Sequence, residues 1–110
     1  MKRGDIVVLN LGNNIGKPRP ALIIQADLLN ESRVLTTTIV IPLTSTLLNM
    51  EFMRYTIEPT ATNGLTKTSE VMIDKISQVK KSMVHAGIGH ITKKQLDEIE
   101  ARLLAVLGVR

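Results

Sequence analysis

The chain has no cysteine and no tryptophan, and Phe52 and Tyr55 are its only aromatic residues. Without cysteine there is neither a disulfide framework nor a thiolate metal site, which fits a cytosolic protein. Two aromatic rings argue against a nucleic-acid surface built on stacked bases. No apolar run approaches the ~20 residues that a membrane-spanning helix needs. Ile6 to Leu9, after the basic Lys2-Arg3, is too short for the core of a secretory signal. The cytoplasm is therefore the expected location, with no membrane partner. No repeat, low-complexity tract or linker interrupts residues 1–110, which are expected to form a single domain.

What is present is an ordinary globular composition with a formal net charge of +4, which tilts toward an anionic partner without establishing one. Apolar and β-branched runs set off by turn residues predict strands over residues 5–9, 20–25, 33–41, 51–58, 70–76 and 77–84. The first two form a hairpin whose loop carries Asn13, Asn14 and Lys17. Pro42 ends the threonine-dense third strand, and Leu43-Thr44-Ser45-Thr46 follows as a loop or strand end. Along 51–58, Met53, Tyr55 and Ile57 alternate with Phe52, Arg54, Thr56 and Glu58, so one face is mostly polar. Asn63-Gly64 marks a turn.

The period then changes. Thr92 with Gln95 three residues later is a capping-box signature, and Leu96, Ile99, Leu103 and Val106 or Leu107 recur at helical spacing. Gly108 supplies the stop. The expected fold is mainly β with a C-terminal helix. The strand count and short turns favour a small antiparallel barrel of the SH3-like kind over a β-α-β arrangement.

Lys17-Pro18-Arg19-Pro20-Ala21-Leu22-Ile23-Ile24-Gln25 places one guanidinium between two prolines at the mouth of an apolar strand. Both prolines fix φ and hold the residue before them extended, so Arg19 has little local freedom. Its planar fork matches a pair of phosphate oxygens and is charged at any physiological pH. An exposed ion pair with a nearby carboxylate accounts for such an arginine equally well. Thr44-Ser45-Thr46 offers hydroxyl donors to a phosphate oxygen or a 2′-hydroxyl, or simply forms a turn.

Asp5, Asp27, Glu51 and Asp74 are scattered without metal-ligand spacing. His85 and His90 flank Ala86-Gly87-Ile88-Gly89, a stretch that reads as a loop, and are acid/base groups, metal ligands or plain surface histidines. Gly87 and Gly89 lack the Lys-Ser/Thr that completes a phosphate loop.

Gly4-Asp5-Ile6-Val7, the segment from Arg19 to Asp27, and Thr38 to Ser45, in that order, resemble the MazF/PemK (Kid) toxins, the endoribonuclease halves of type II toxin–antitoxin pairs. Leu103-Leu104-Ala105-Val106-Leu107-Gly108 is similar to the end of that family's last helix. The resemblance covers nearly the whole chain. Its most specific parts are Arg19-Pro20-Ala21-Leu22 and Pro42-Leu43-Thr44-Ser45.

The resemblance implies an SH3-like barrel, a homodimer, and sequence-selective, metal-free cleavage of single-stranded mRNA without a cofactor. It implies catalytic roles for Arg19 and Thr44, and for the acid Asp74 found at a catalytic position in some members. It implies RNA contacts at Lys17, Ser45, Thr46, Lys75 and Gln78, and an acidic antitoxin of the MazE kind as partner. The stretch from Lys75 to Lys81 departs from the family pattern, and the loop from Gly12 to Gly16 is short and lacks an aromatic. The RNA sequence preference of other members therefore does not carry over.

The chemistry needs few groups. The 2′-hydroxyl of RNA lies beside its own phosphate, so attack is intramolecular, and the protein mainly stabilises charge and manages two protons. Arginine at its normal pKa is a poor base. Asp74 and His85 both stay open for that role. Two other functions share the fold: a non-enzymatic gyrase poison of the CcdB kind, whose C-terminal ending Leu107-Gly108-Val109-Arg110 does not resemble, and a plain SH3-like binding module, against which the scarcity of aromatics argues.

Overall fold

The computed structural model describes residues 1–10 and 18–110, so the expected hairpin loop with Asn13, Asn14 and Lys17 lies outside the described residues. Seven strands make up one sheet: β1 (Asp5–Leu9), β2 (Arg19–Ile23), β3 (Thr37–Thr44), β4 (Arg54–Ile57), β5 (Ser69–Met72), β6 (Ser77–Lys80) and β7 (Val84–His90). Their order is β4-β5-β3-β2-β1-β7, with β6 also on β3, and every pairing is antiparallel. A short helix α1 (Asp27–Glu31) follows β2, and α2 (Lys93–Val106) follows β7. The arrangement is the expected one, mainly β with a C-terminal helix.

β1 and β2 read as short apolar runs because residues on both of their faces are buried, and the centre of β3, Ile39-Val40-Ile41, continues the pattern. Register sets Ile6 opposite Leu22 and Leu22 opposite Ile41, and all three enter the main core with Leu43, Ile57, Val71 and Ile73. The alternate residues Val7, Ala21, Ile23 and Val40 form a second, smaller cluster on the other face. α2 closes the main core with Ile99 and Leu103. Its capping box is complete: Gln95 N–H donates to Thr92 Oγ1 at 3.1 Å, and Thr92 N–H donates to Gln95 Oε1 at 2.9 Å. Gly108, at φ 77°, ends it as expected.

Several boundaries differ from the sequence reading. β3 continues through Pro42, which pairs with Ala21 of β2. On its other edge β3 pairs with β6 over Thr37–Val40 and with β5 at Leu43 and Thr44. Pro42 falls in the gap between these two partners, so its missing N–H breaks no pairing on that edge. The stretch expected as strand 70–76 gives way at Met72 to a 3₁₀ turn, Ile73–Lys75. Strand 77–84 ends at Lys80 before a second turn, Lys81–Met83, and the strand expected from residue 51 begins only at Arg54.

The stretch Ala86-Gly87-Ile88-Gly89, expected as a loop, belongs to β7. Two register shifts against β1 leave His85 and Ile88 as extra, bulged residues, which hides the alternation that marks a strand.

The ladders leave β4 and β7 at the two ends of the sheet, and loop 58–68 spans the gap between them. His90 N–H donates to Thr62 O at 3.1 Å. A Cβ on Gly89 would stand 2.3 Å from Thr62 O, so the loop sits directly on the strand backbone there. Buried Asn63 shapes the loop: its Oδ1 accepts from the N–H of Thr60 and Leu65, each at 3.0 Å, and its amide donates to Glu58 O at 2.8 Å. The barrel is thus completed by a loop docked on β7 rather than by a further ladder.

Candidate active site

Arg19 opens β2 and Thr44 ends β3. The β2–β3 ladder pairs Ile23 with Val40, Leu22 with Ile41 and Ala21 with Pro42. Continued by two residues, the same register sets Arg19 directly opposite Thr44. Pro18 and Pro20 hold this end of β2 extended while leaving Arg19 exposed. The two residues share a cleft of about 630 Å³ whose lining also includes Ser45, Thr46, Thr66, Lys67 and Ser69.

The electrostatics of the cleft are one-sided. It is lined by two cations, Arg19 and Lys67, and by five hydroxyl side chains, with no carboxylate among the described residues. Neither Arg19 nor Lys67 makes a side-chain hydrogen bond or ion pair among the described residues. The surface ion pair that would have explained Arg19 without a ligand is absent from that set. Thr44 Oγ1 accepts from Thr46 N–H at 3.1 Å, which fixes the turn and leaves the hydroxyl proton of Thr44 free to donate. Such a cleft suits a phosphodiester: guanidinium and ammonium for its charge, hydroxyls for its oxygens.

Of the residues singled out in the sequence, Arg19, Thr44, Ser45 and Thr46 come together in this cleft. Lys17 lies outside the described residues. Asp74 and Lys75 sit in the turn Ile73–Lys75, with Asp74 Oδ2 3.9 Å from Lys75 Nζ, and Gln78 lies on β6; none of the three lines the cleft. His85 is a bulged residue of β7 and does not line it either. Lys67 and Thr66 were not expected. They reach Arg19 only because loop 58–68 docks on β7, and no spacing in the sequence announces that closure.

A second polar site centres on the strand beside Thr44. Glu70 of β5 is fully buried, and pairing sets it opposite Thr44. Its carboxylate accepts from Leu48 N–H and Asn49 N–H, each at 3.0 Å, and from Arg54 Nη1 at 2.8 Å. Burial pushes this carboxyl up, but the two backbone N–H groups and the Arg54 guanidinium outweigh it and hold the group below its ordinary value. Arg102 of α2 donates to Arg54 O at 2.6 Å and lies over the Tyr55 ring, 4.9 Å from its centre. Tyr55 is pushed up to about 12 by burial, by its hydrogen bond to Glu98 and by the charge of Glu98, against the opposing charge of Arg102.

The family model for the PemK-like, MazF-like toxins of type II toxin–antitoxin systems matches residues 2–107. The chain belongs to this toxin family. Over 110 residues it is 36% identical to a probable endoribonuclease MazF of Mycolicibacterium smegmatis, covering 99% of this chain and 98% of the relative. Among solved structures, the Mycobacterium tuberculosis toxin MazF-mt6 superposes with a TM-score of 0.81 at 22% identity, over 96% of this chain and 98% of that one. An endoribonuclease in complex with its cognate antitoxin from a mycobacterial species gives 0.82 at 23% identity, over 100% and 97%. A MazE–MazF structure from Deinococcus radiodurans gives 0.80 at 22%, again over 100% and 97%. These structural matches establish the fold, the barrel that the strand pattern pointed to.

Proposed function

We propose that this toxin is an endoribonuclease that cuts single-stranded mRNA at the cleft between β2 and β3, with Arg19 and Thr44 at the reacting phosphate. The observation that carries the proposal is that Arg19 and Thr44 share one cleft lined by two cations and five hydroxyls, with no ion pair to Arg19 and no carboxylate in the lining among the described residues. The name of the Mycolicibacterium relative, a probable endoribonuclease, supports the same reading.

The 2′-hydroxyl attacks its own phosphorus, the P–O5′ bond breaks, and the 5′ oxygen takes up a proton as the 2′ oxygen loses one. The products are a 2′,3′-cyclic phosphate and a 5′-hydroxyl. Proximity within the RNA supplies the nucleophile, and the protein contributes mainly charge stabilisation as the phosphorane forms. Arg19 holds the non-bridging oxygens. Thr44 donates to the phosphate, and Ser45 and Thr46 bind alongside. Lys67 adds charge on the opposite wall. Lys75 and Gln78, beyond the cleft, are available to flanking nucleotides, and Asp74, a candidate for proton transfer, stands outside the cleft as well.

The 110 residues act as one toxin domain in the cytoplasm, as a homodimer, with an acidic MazE-like antitoxin to neutralise it. Exposed Leu47, Leu48 and Met50 offer apolar surface to a second copy, and the basic cleft offers charge to the antitoxin.

The test is cleavage of an RNA, in EDTA, beside the same strand with a 2′-deoxy sugar at the cut position. Cleavage of the first alone, with a 2′,3′-cyclic phosphate end, is expected. Equal cleavage of both strands would contradict the mechanism.

A further inference from the structure

Glu70 is a fully buried carboxylate, a group that is costly to take out of water unless charge and hydrogen bonds answer it. It leaves β5 on the face opposite the core residue Val71, under the loop that joins β3 to β4. There it meets two successive N–H groups of that loop, from Leu48 and Asn49. Consecutive N–H groups turned to one point form a concave anion seat, and here the anion belongs to the protein itself. Asn49 adopts φ 57°, the left-handed region that few residues enter, and its N–H meets the carboxylate from that conformation. Arg54 holds the carboxylate from the other side, and Arg102 in turn holds the backbone of Arg54.

The same residue also fixes the other end of the loop. Glu70 pairs through its backbone with Thr44, the last residue of β3. The span from Ser45 to Leu47 is therefore tied at both ends to one residue, and its hydroxyls line the cleft. A hydrophobic residue at 70 would leave the loop untethered and Arg54 without its carboxylate.

We propose that Glu70 is a positioning residue for the cleft: by gripping Leu48 and Asn49, it fixes where the Thr44, Ser45 and Thr46 hydroxyls stand. This rests on the reading of the cleft as the site of RNA cleavage. Glu70 touches no substrate. Its part is to hold the loop that does.

Three variants test it, each read by amide hydrogen exchange at Leu48 and Asn49 and by kcat and KM on RNA. Glu70→Gln keeps the shape, but its amide accepts through only one oxygen and turns an NH₂ toward the other donor. It is expected to speed exchange at both amides and to lower kcat about 10- to 100-fold, the size of effect that small misplacement of reacting groups produces. Asn49 is exposed and outside the core, so its variants keep the fold. Asn49→Val disfavours the left-handed backbone and is expected to lower kcat about tenfold, whereas Asn49→Gly keeps that backbone and retains activity within about twofold.

Should Glu70→Gln fail to fold, the Asn49 pair decides. A folded Glu70→Gln protein with the parent kcat, or Asn49→Val and Asn49→Gly proteins of equal kcat, would overturn the positioning role. Unprotected amides at Leu48 and Asn49 in the parent would overturn the grip itself. A parent that cuts no RNA would overturn the reading of the cleft, and the exchange data would still separate that failure from failure of the grip.

Discussion

Arg19 and Arg54 stand on strands of the same sheet, and their surroundings have little in common. Arg19 is exposed, sits between prolines and makes no ion pair or side-chain hydrogen bond among the described residues. Arg54 has a side chain only 10% exposed, pairs with Glu70 at 2.8 Å, and carries Arg102 on its carbonyl. A guanidinium cannot give up its charge, so what it lacks in partners it offers to a ligand, and what it has in partners it gives to the fold. The contrast separates two jobs within one barrel: an anion site left open at the end of β2, and an internal anion, Glu70, already seated under the β3–β4 loop.

The largest effect expected from breaking this contrast is on the closed side. Arg54→Ala leaves Glu70 buried with a charge no longer paired, and a loss of about 3–5 kcal/mol of stability is expected, read by urea unfolding. Next comes acid. The folded state holds the Glu70 carboxyl below its ordinary value of 4.5, so the unfolded chain takes up that proton first. The stability it contributes is present above that value and is lost as pH falls through the folded value. Unfolding followed against pH is expected to show this slope in the parent and to lose it in Glu70→Gln.

On the open side, Lys67→Ala is expected to leave stability within about 0.5 kcal/mol, as for other exposed residues without partners. It should lower the slope of log affinity for RNA against log salt by about 0.7, the single-strand value for one phosphate contact. The smallest effect is spectroscopic. Tyr55 is the sole tyrosine and there is no tryptophan, so absorbance near ~295 nm reports its ionisation alone. A midpoint of about 12 is expected, and Glu98→Gln should lower it only in part, because burial, the largest cause of the rise, stays in place. The sign is that of a raised group: the stability contribution of Tyr55 is complete below pH 10 and is lost as pH rises through the folded value.

Local chemistry made part of this legible in the sequence. The Thr92–Gln95 cap and the Gly108 stop are decided within one turn of chain, and both are present as expected. The doubly buried runs of β1 and β2 announced themselves by composition. Pro42 misled because its effect depends on which neighbours flank β3, and these come from residues 69–80. β7 stayed hidden because its bulges at His85 and Ile88 break the two-residue period.

The site divides in the same way. Arg19 and Thr44 were each visible as motifs, yet that they face one another is a matter of register, which neither segment carries alone. Lys67 arrives by closure of loop 58–68, and nothing in the sequence singles out Glu70 within the expected strand 70–76. Its role becomes visible only when the loop above it is seen to turn two N–H groups inward.

The central claim is that the unpaired arginine serves the reaction and the paired one serves the fold. It is tested most directly by measuring RNA cleavage and thermal unfolding of Arg19→Ala side by side with the parent. Cleavage is expected to fall about 10²- to 10³-fold, as when one donor to a developing oxyanion is removed, with the unfolding midpoint unchanged. A folded Arg19→Ala protein that cleaves RNA at the parent rate would contradict it.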